Sequence, residues 1–208
     1  MSDDESNSEE LPPVIVIDRG SLEWKCGVAG DEEIGAIISR DAEAARLRRA
    51  FAELEAEPGD HAVLLSESAG TTPEERASVA ALLFGSQFGV RALCFAAAPV
   101  LPLYHYAVES SCLVVDIGEQ RTTLLPVHAD GYAILGAAVC IDLGGAHLVR
   151  WLAGRLLELR AQLAGSASAK APPAVDEMEA IARQVLKESV AVALDSRKKE
   201  KLPPVKVT

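Results

Sequence analysis

Long apolar runs are missing from this chain, and aromatic residues are scarce. No stretch reaches the ~18 residues that a membrane-spanning helix requires, so no span is expected. Aromatics are 4% of the 208 residues, so a core has to be built from Ala, Val and Leu. Positive charge is also short: 20 Lys and Arg stand against 31 Asp and Glu, a net charge of −11. Nucleic acid is therefore not expected as a partner, because holding phosphates takes a basic surface. The same charge disfavours an anionic membrane. Cys26, Cys94, Cys112 and Cys140 show no CxxC spacing. They are expected to be small buried residues in a reducing compartment, neither disulfides nor a metal site. No basic segment followed by an apolar one opens the chain, so no signal peptide is expected. These absences leave a soluble intracellular protein of one or two domains, with 49% hydrophobic residues to fill a core.

What is present is a duplication. Leu113-Val114-Val115 is an apolar run suited to a buried strand and too short for a typical helix. It ends in Asp116 and Gly118, and a second strand follows at Thr122–Val127, with a turn at Asp130-Gly131. A near copy stands at the N-terminus: Val14-Ile15-Val16-Ile17, then Asp18 and Gly20, then Trp24–Ala29 and Gly30-Asp31. Each copy reads as strand, Asp-X-Gly turn, strand. Glycine lets backbone approach a ligand closely, successive turn amides form an anion-binding nest, and a neighbouring acid can hold a hydrated divalent cation. Two such hairpins face to face would clamp a polyphosphate.

Around the hairpins the pattern alternates. Residues 1–13 form an acidic, Ser-rich tail with the composition of a disordered segment, ended by Pro12-Pro13. Residues 14–40 carry two or three strands. Asp41 is placed to cap a helix through Leu54, with Ala42, Ala45, Leu47, Phe51 and Leu54 apolar. A buried strand follows at Ala62–Leu65. Thr71-Thr72-Pro73-Glu74-Glu75 starts a helix that runs to about Phe88 and closes at Gly89. Arg91–Ala97 is a strand and Val100–Ala107 a short helix. This order predicts an α/β layer with a mixed sheet. Later, Ala146–Leu163 carries an apolar side of Leu148, Leu152, Leu156, Leu157 and Leu163. Residues 165–174 are a low-complexity loop. A last helix, about Val175–Leu194, presents Met178, Ile181, Ala182, Val185, Leu186 and Val190, and a charged tail fills 197–208.

These blocks resemble actin and the actin-related proteins. VIVIDRGSLEWKCGVAGDEE is similar to the actin phosphate loop and its following strand. RAFAELEAEPGDHAVLLSES resembles the actin helix and strand that end in a PVLLTE-like sequence, and VLPLYHYA with CLVVDIGEQRTTLLPVHADGYAI resembles the linker helix and second phosphate loop. IDLGGAHLVRWLAGRLLE is similar to the actin helix that comes next, and VLKESVAVALD to the late part of the actin fourth subdomain. The resemblance covers most of residues 14–195. It implies the actin-like ATPase (ribonuclease-H-like) fold, an α/β architecture with one complete mixed-sheet half and an incomplete second half. Residues 14–110 would be a first subdomain lacking the second one that actins insert, and residues 111–196 a partial third and fourth. The second half would be short of strands, with open edges and apolar faces.

The resemblance also implies a nucleotide site for ATP with Mg or Ca. Asp18, Gly20, Ser21 and Lys25 match its first hairpin, and Asp116, Gly118 and, loosely, Glu119 match its second. Asp18 and Asp116 would hold the metal through water. Ser21 and backbone amides would take phosphate oxygens, Lys25 would offset phosphate charge, and Lys187-Glu188 resembles the Lys-Glu pair beside the adenine. Five positions depart from the family pattern. Leu22 and Gln120 replace loop glycines, and Ile117 replaces a small hydroxyl residue. Ala98 stands for the glutamine that orients the attacking water, and Thr123 for a nearby histidine. Phosphoryl transfer needs that water positioned, so hydrolysis is not expected. The expectation is a divergent, non-hydrolysing actin-like protein, a structural or binding component of a cytoskeletal or chromatin assembly. Protein partners are expected and filament self-assembly is not. The location would be the cytoplasm and cytoskeleton, or the nucleus. An ATP-binding actin-type ATPase is the alternative. A sugar kinase of the same wider fold is disfavoured by the VLLSES and VDIG…DGYA blocks.

Overall fold

A computed structural model describes residues 12–106, 110–163 and 174–189. The N-terminal tail through residue 11, residues 164–173, the end of the last predicted helix and the charged C-terminal tail lie outside the described residues. The chain divides into two compact units, Met1–Asp142 and Leu143–Thr208. The boundary expected near residue 110 falls between two sheets of the first unit.

The first sheet contains β1 (Ile15–Arg19), β2 (Glu23–Val28), β3 (Ala36–Ser39), β4 (Ala62–Glu67) and β5 (Ala92–Ala97), in the order β3-β2-β1-β4-β5. β1, β2 and β3 form an antiparallel meander, and β4 and β5 add in parallel beyond β1. The β-branched run at β1 suits this central position. Ile15, Ile17, Val63 and Leu65 are at most 1% exposed. They pack with Trp24 and Cys26, with Leu47, Ala50 and Phe51 of α1 (Glu43–Glu53), and with Val79 and Leu83 of α2 (Pro73–Phe84). Burying each such aliphatic side chain contributes about 1.5–3 kcal/mol.

Both helix starts are instructive. Thr72 and Glu75 form a reciprocal capping box at α2, with Pro73 in the first turn. α2 stops at Phe84, short of Phe88, because Gly85 leaves the helix with extended backbone and the chain turns through Gly89 at φ +63. At α1 the N-cap is Ala42, not Asp41. The Asp41 carboxylate accepts a hydrogen bond from the adjacent Ala42 amide at 2.7 Å, one residue too early to cap the first turn. Ala42 is exposed, and the buried face of α1 includes Arg46.

After α3 (Leu101–Tyr106), a second sheet of the first unit forms from β6 (Cys112–Ile117), β7 (Thr122–Val127) and β8 (Val139–Ile141), all antiparallel. Leu125 and Val127 are buried with Val100, and Cys112 and Val114 pack against them. The β6 strand is not the buried strand expected from its apolar run. Leu113, Val115 and Ile117 alternate onto the opposite face and are 57%, 53% and 70% exposed. A three-stranded sheet packed on one face buries only every second residue.

The second unit pairs α4 (Gly145–Leu163) with α5 (Val175–Ser189). Val149 and Ala153 meet Met178 and Ala182, flanked by Leu152, Leu156, Leu157 and Leu186. Leu148 and Ile181, placed on the apolar sides by spacing, are exposed. Val149, Ala153, Met178 and Ala182 are the buried residues between the helices instead. Among the described residues no helix is long and apolar enough to cross a membrane.

Candidate functional site

The two Asp-X-Gly hairpins have matching register. Asp18 pairs with Lys25 across β1 and β2, and Asp116 pairs with Thr123 across β6 and β7. Each turn glycine sits against the carbonyl that closes its own hairpin. A Cβ on Gly20 would land on the Glu23 carbonyl oxygen, and one on Gly118 would lie 3.1 Å from the Arg121 oxygen. The first tip therefore needs glycine for close packing of backbone on backbone, whereas the second is tight but needs a shift of only a few tenths of an ångström to admit a Cβ.

Both hairpins open into one cavity of about 920 Å³. It is lined by Asp18, Gly20, Ser21, Lys25, Asp116, Gly118 and Glu119, and by the departures Leu22, Ala98, Gln120 and Thr123. The structure thus gathers seven of the nine residues singled out in the sequence. Lys187 and Glu188 lie on α5 in the second unit, where Glu188 accepts a hydrogen bond from Gln184. Ile117, the fifth departure, is on the exposed face of β6.

The end of β4 supplies what the sequence leaves unmarked. Ser66 is 1% exposed. Its hydroxyl donates to Asp18 Oδ1 at 2.6 Å and accepts from the Arg19 amide at 2.8 Å. Arg19 in turn reaches the Ser66 carbonyl at 3.2 Å and Glu43 of α1 at 2.7 Å. Glu67, 5% exposed, accepts a bidentate pair from Nε and one terminal nitrogen along a single edge of the Arg76 guanidinium of α2. The signal for these residues is the polar Ser-Glu pair closing an apolar strand, where a buried polar group requires a partner.

The cavity is acidic. Among its lining residues, Asp18, Glu23, Glu67, Glu75, Asp116 and Glu119 stand against Arg19, Lys25 and Arg121, and Glu67 is already paired with Arg76. The Asp116 carboxyl is raised above the ordinary aspartate value of 3.8, first by lost hydration among the cavity walls and second by the negative charge of Asp18. The side chain remains accessible, so the effect comes from concave surroundings and not from full burial. A carboxyl raised on folding favours the native state at acid pH, and that contribution disappears as pH climbs past 3.8. Replacing Asp116 by Asn should therefore stabilise the protein at about pH 7 and have less effect near pH 3, measured by urea midpoints in chelator-containing buffer. Behind β2, burial pushes the Cys26 thiol up to about 11, aided by Glu53 and Asp18. Cys26 is the one fully buried cysteine. Cys94 and Cys140 are exposed and Cys112 is intermediate, against the expectation that all four are buried. β5 and β8 are edge strands, which leaves Cys94 and Cys140 accessible.

A mixed sheet and a second antiparallel meander each carry an Asp-X-Gly hairpin that lines one hollow. The sequence pattern of the Actin family matches residues 33–199, and the chain belongs to the actin family, with the actin-like fold. It is 40% identical over 92 residues to actin-related protein 4 of Arabidopsis thaliana, covering 44% of this chain and 20% of that protein. It is 35% identical over 112 residues to actin-related protein 3 of Oryza sativa subsp. indica, covering 52% and 26%. Actin-related protein 3 of Drosophila melanogaster is 31% identical over 134 residues, covering 61% and 32%. The chain thus spans between a fifth and a third of these relatives' lengths.

Proposed function

We propose that this actin-family chain is a non-hydrolysing structural or binding component of a protein assembly, cytoskeletal or related, acting in the cytoplasm or nucleus. The observation that carries this reading is the cavity wall at Ala98 and Thr123. Ala98 offers only a methyl group. Thr123 is 4% exposed, with its hydroxyl turned toward Cys140 at 4.0 Å. A methyl group makes no hydrogen bond to water and Thr123 is nearly buried beside Cys140, which supports a site without the positioned water that phosphoryl transfer requires. Leu22 adds bulk to the first hairpin where a ligand's phosphates would approach backbone.

A second reading, a clamp that binds a metal–nucleotide, is favoured by Asp18, Ser21, Lys25 and Asp116 sharing one cavity. Asp18 and Asp116 suit a hydrated divalent cation, which would keep much of its water shell because two carboxylates leave most ligand positions open. Ser21 and Lys25 suit phosphate oxygens. The cation would supply charge neutralisation that an acidic lining lacks.

The two readings separate in one experiment. With millimolar Mg-ATP, no turnover above buffer is expected. A thermal shift equivalent to about 2.7 kcal/mol at 100-fold over Kd would establish the clamp without hydrolysis. Turnover that Asp116→Ala abolishes would overturn the non-hydrolysing reading.

A further inference from the structure

We propose that α1 clamps the first hairpin from outside the cavity, with Glu43 fixing its root and Arg46 fixing its tip. This rests on reading the cavity as the ligand site, because the hairpin is one of its walls. Neither Glu43 nor Arg46 lines the cavity. Arg46 is 7% exposed, yet no carboxylate pairs with it among the described residues. Its partners are backbone and ring: Nε donates to the Ser39 carbonyl at 3.1 Å, one terminal nitrogen donates to the Leu22 carbonyl at 3.4 Å, and the guanidinium lies 4.9 Å from the Trp24 ring centroid. A buried guanidinium is costly unless its donors are satisfied. Here two carbonyls accept two of its five N–H donors and the Trp24 ring adds a cation–π contact, and all three bind it to the β1–β2–β3 meander. Arg40 adds an exposed bond to the Ser21 carbonyl at 3.3 Å. At the other end, Glu43 pairs with Arg19, the residue beside Asp18. The carbonyls of Ser21 and Leu22 are thereby tethered to arginines that lie outside the cavity. Arg46 is a positioning residue, and its planar fork is what lysine cannot reproduce.

The test uses the full chain carrying Trp151→Phe, so that Trp24 is the single tryptophan. Arg46→Lys and Arg46→Met are compared by amide hydrogen exchange and Trp24 emission. The amides of Glu23, Trp24 and Lys25 are expected to exchange about tenfold faster in both variants, while those of Ile17 and Leu65 stay at the parent rate. Trp24 emission should shift in both, and Glu43→Gln should loosen Arg19 in the same selective way. Parent-like exchange at the hairpin in Arg46→Lys overturns the clamp. So does an acceleration spread evenly over the sheet, which marks general destabilisation. If Arg46→Met does not fold, Arg46→Lys decides. No nucleotide enters the measurement, so failure of the clamp and failure of the cavity as a nucleotide site are separate outcomes.

Discussion

Ser66→Ala is expected to lower stability by about 3 kcal/mol, a large share of what a domain of this size has to lose. The hydroxyl makes two bonds within a nearly sealed position, to the Asp18 carboxylate and from the Arg19 amide. A hydrogen bond to a charged group contributes about 1.5–3 kcal/mol, and an amide left without a partner costs about 1–3 more. Some of that is recovered because Asp18 and Arg19 are only half-buried. Ser66→Thr keeps the hydroxyl and adds one methyl where there is little room, so a loss of about 1 kcal/mol is expected. Urea unfolding at constant slope measures both. Equal losses for Ala and Thr would show that packing, and not the hydroxyl, matters at this position.

Gly20→Ala is expected to cost more than the equivalent change in the second hairpin. Its Cβ would meet a backbone oxygen of the same turn at a separation that real contacts do not reach, so the hairpin must open. Forced overpacking of this kind costs about 1–3 kcal/mol, and the upper end applies where backbone has to move. At Gly118 the nearest oxygen is 3.1 Å away, and a shift of a few tenths of an ångström relieves it. Gly118→Ala should lose less than about 1 kcal/mol. The turns are alike in sequence, but only the first is closed so tightly. Equal costs at the two positions would contradict that difference.

Much of this layout was legible in the residues. The repeated apolar strand, Asp-X-Gly and second strand predicts both hairpins, while their sharing one cavity is implied only by the resemblance to the actin family. β4 and the helix start at Thr71-Thr72-Pro73-Glu74-Glu75 are equally plain, because each depends on short-range chemistry. What stays hidden depends on contacts distant in sequence. Ser66 looks like an ordinary polar strand end until Asp18, 48 residues away, is placed beside it. Arg46 looks like a solvent-facing residue among Arg48 and Arg49, and only Trp24 and the Leu22 carbonyl make it a buried one. β8 is three residues long and exposed throughout, so it lacks the alternation that marks a strand. Leu113 and Val115 show the reverse case. Apolarity marks them for burial, and the packing of one sheet face leaves them in solvent.

The facing of Asp18 and Asp116 across one cavity is tested most directly by a double-mutant cycle. Wild type, Asp18→Asn, Asp116→Asn and the double variant are unfolded in urea at neutral pH, low salt and with chelator present. If the two carboxylates repel each other, Asp116→Asn stabilises the wild-type background and stabilises the Asp18→Asn background less, giving a coupling energy beyond the ~0.3–0.5 kcal/mol of independent sites. Effects that add within that margin would mean that the two hairpins do not share a hollow.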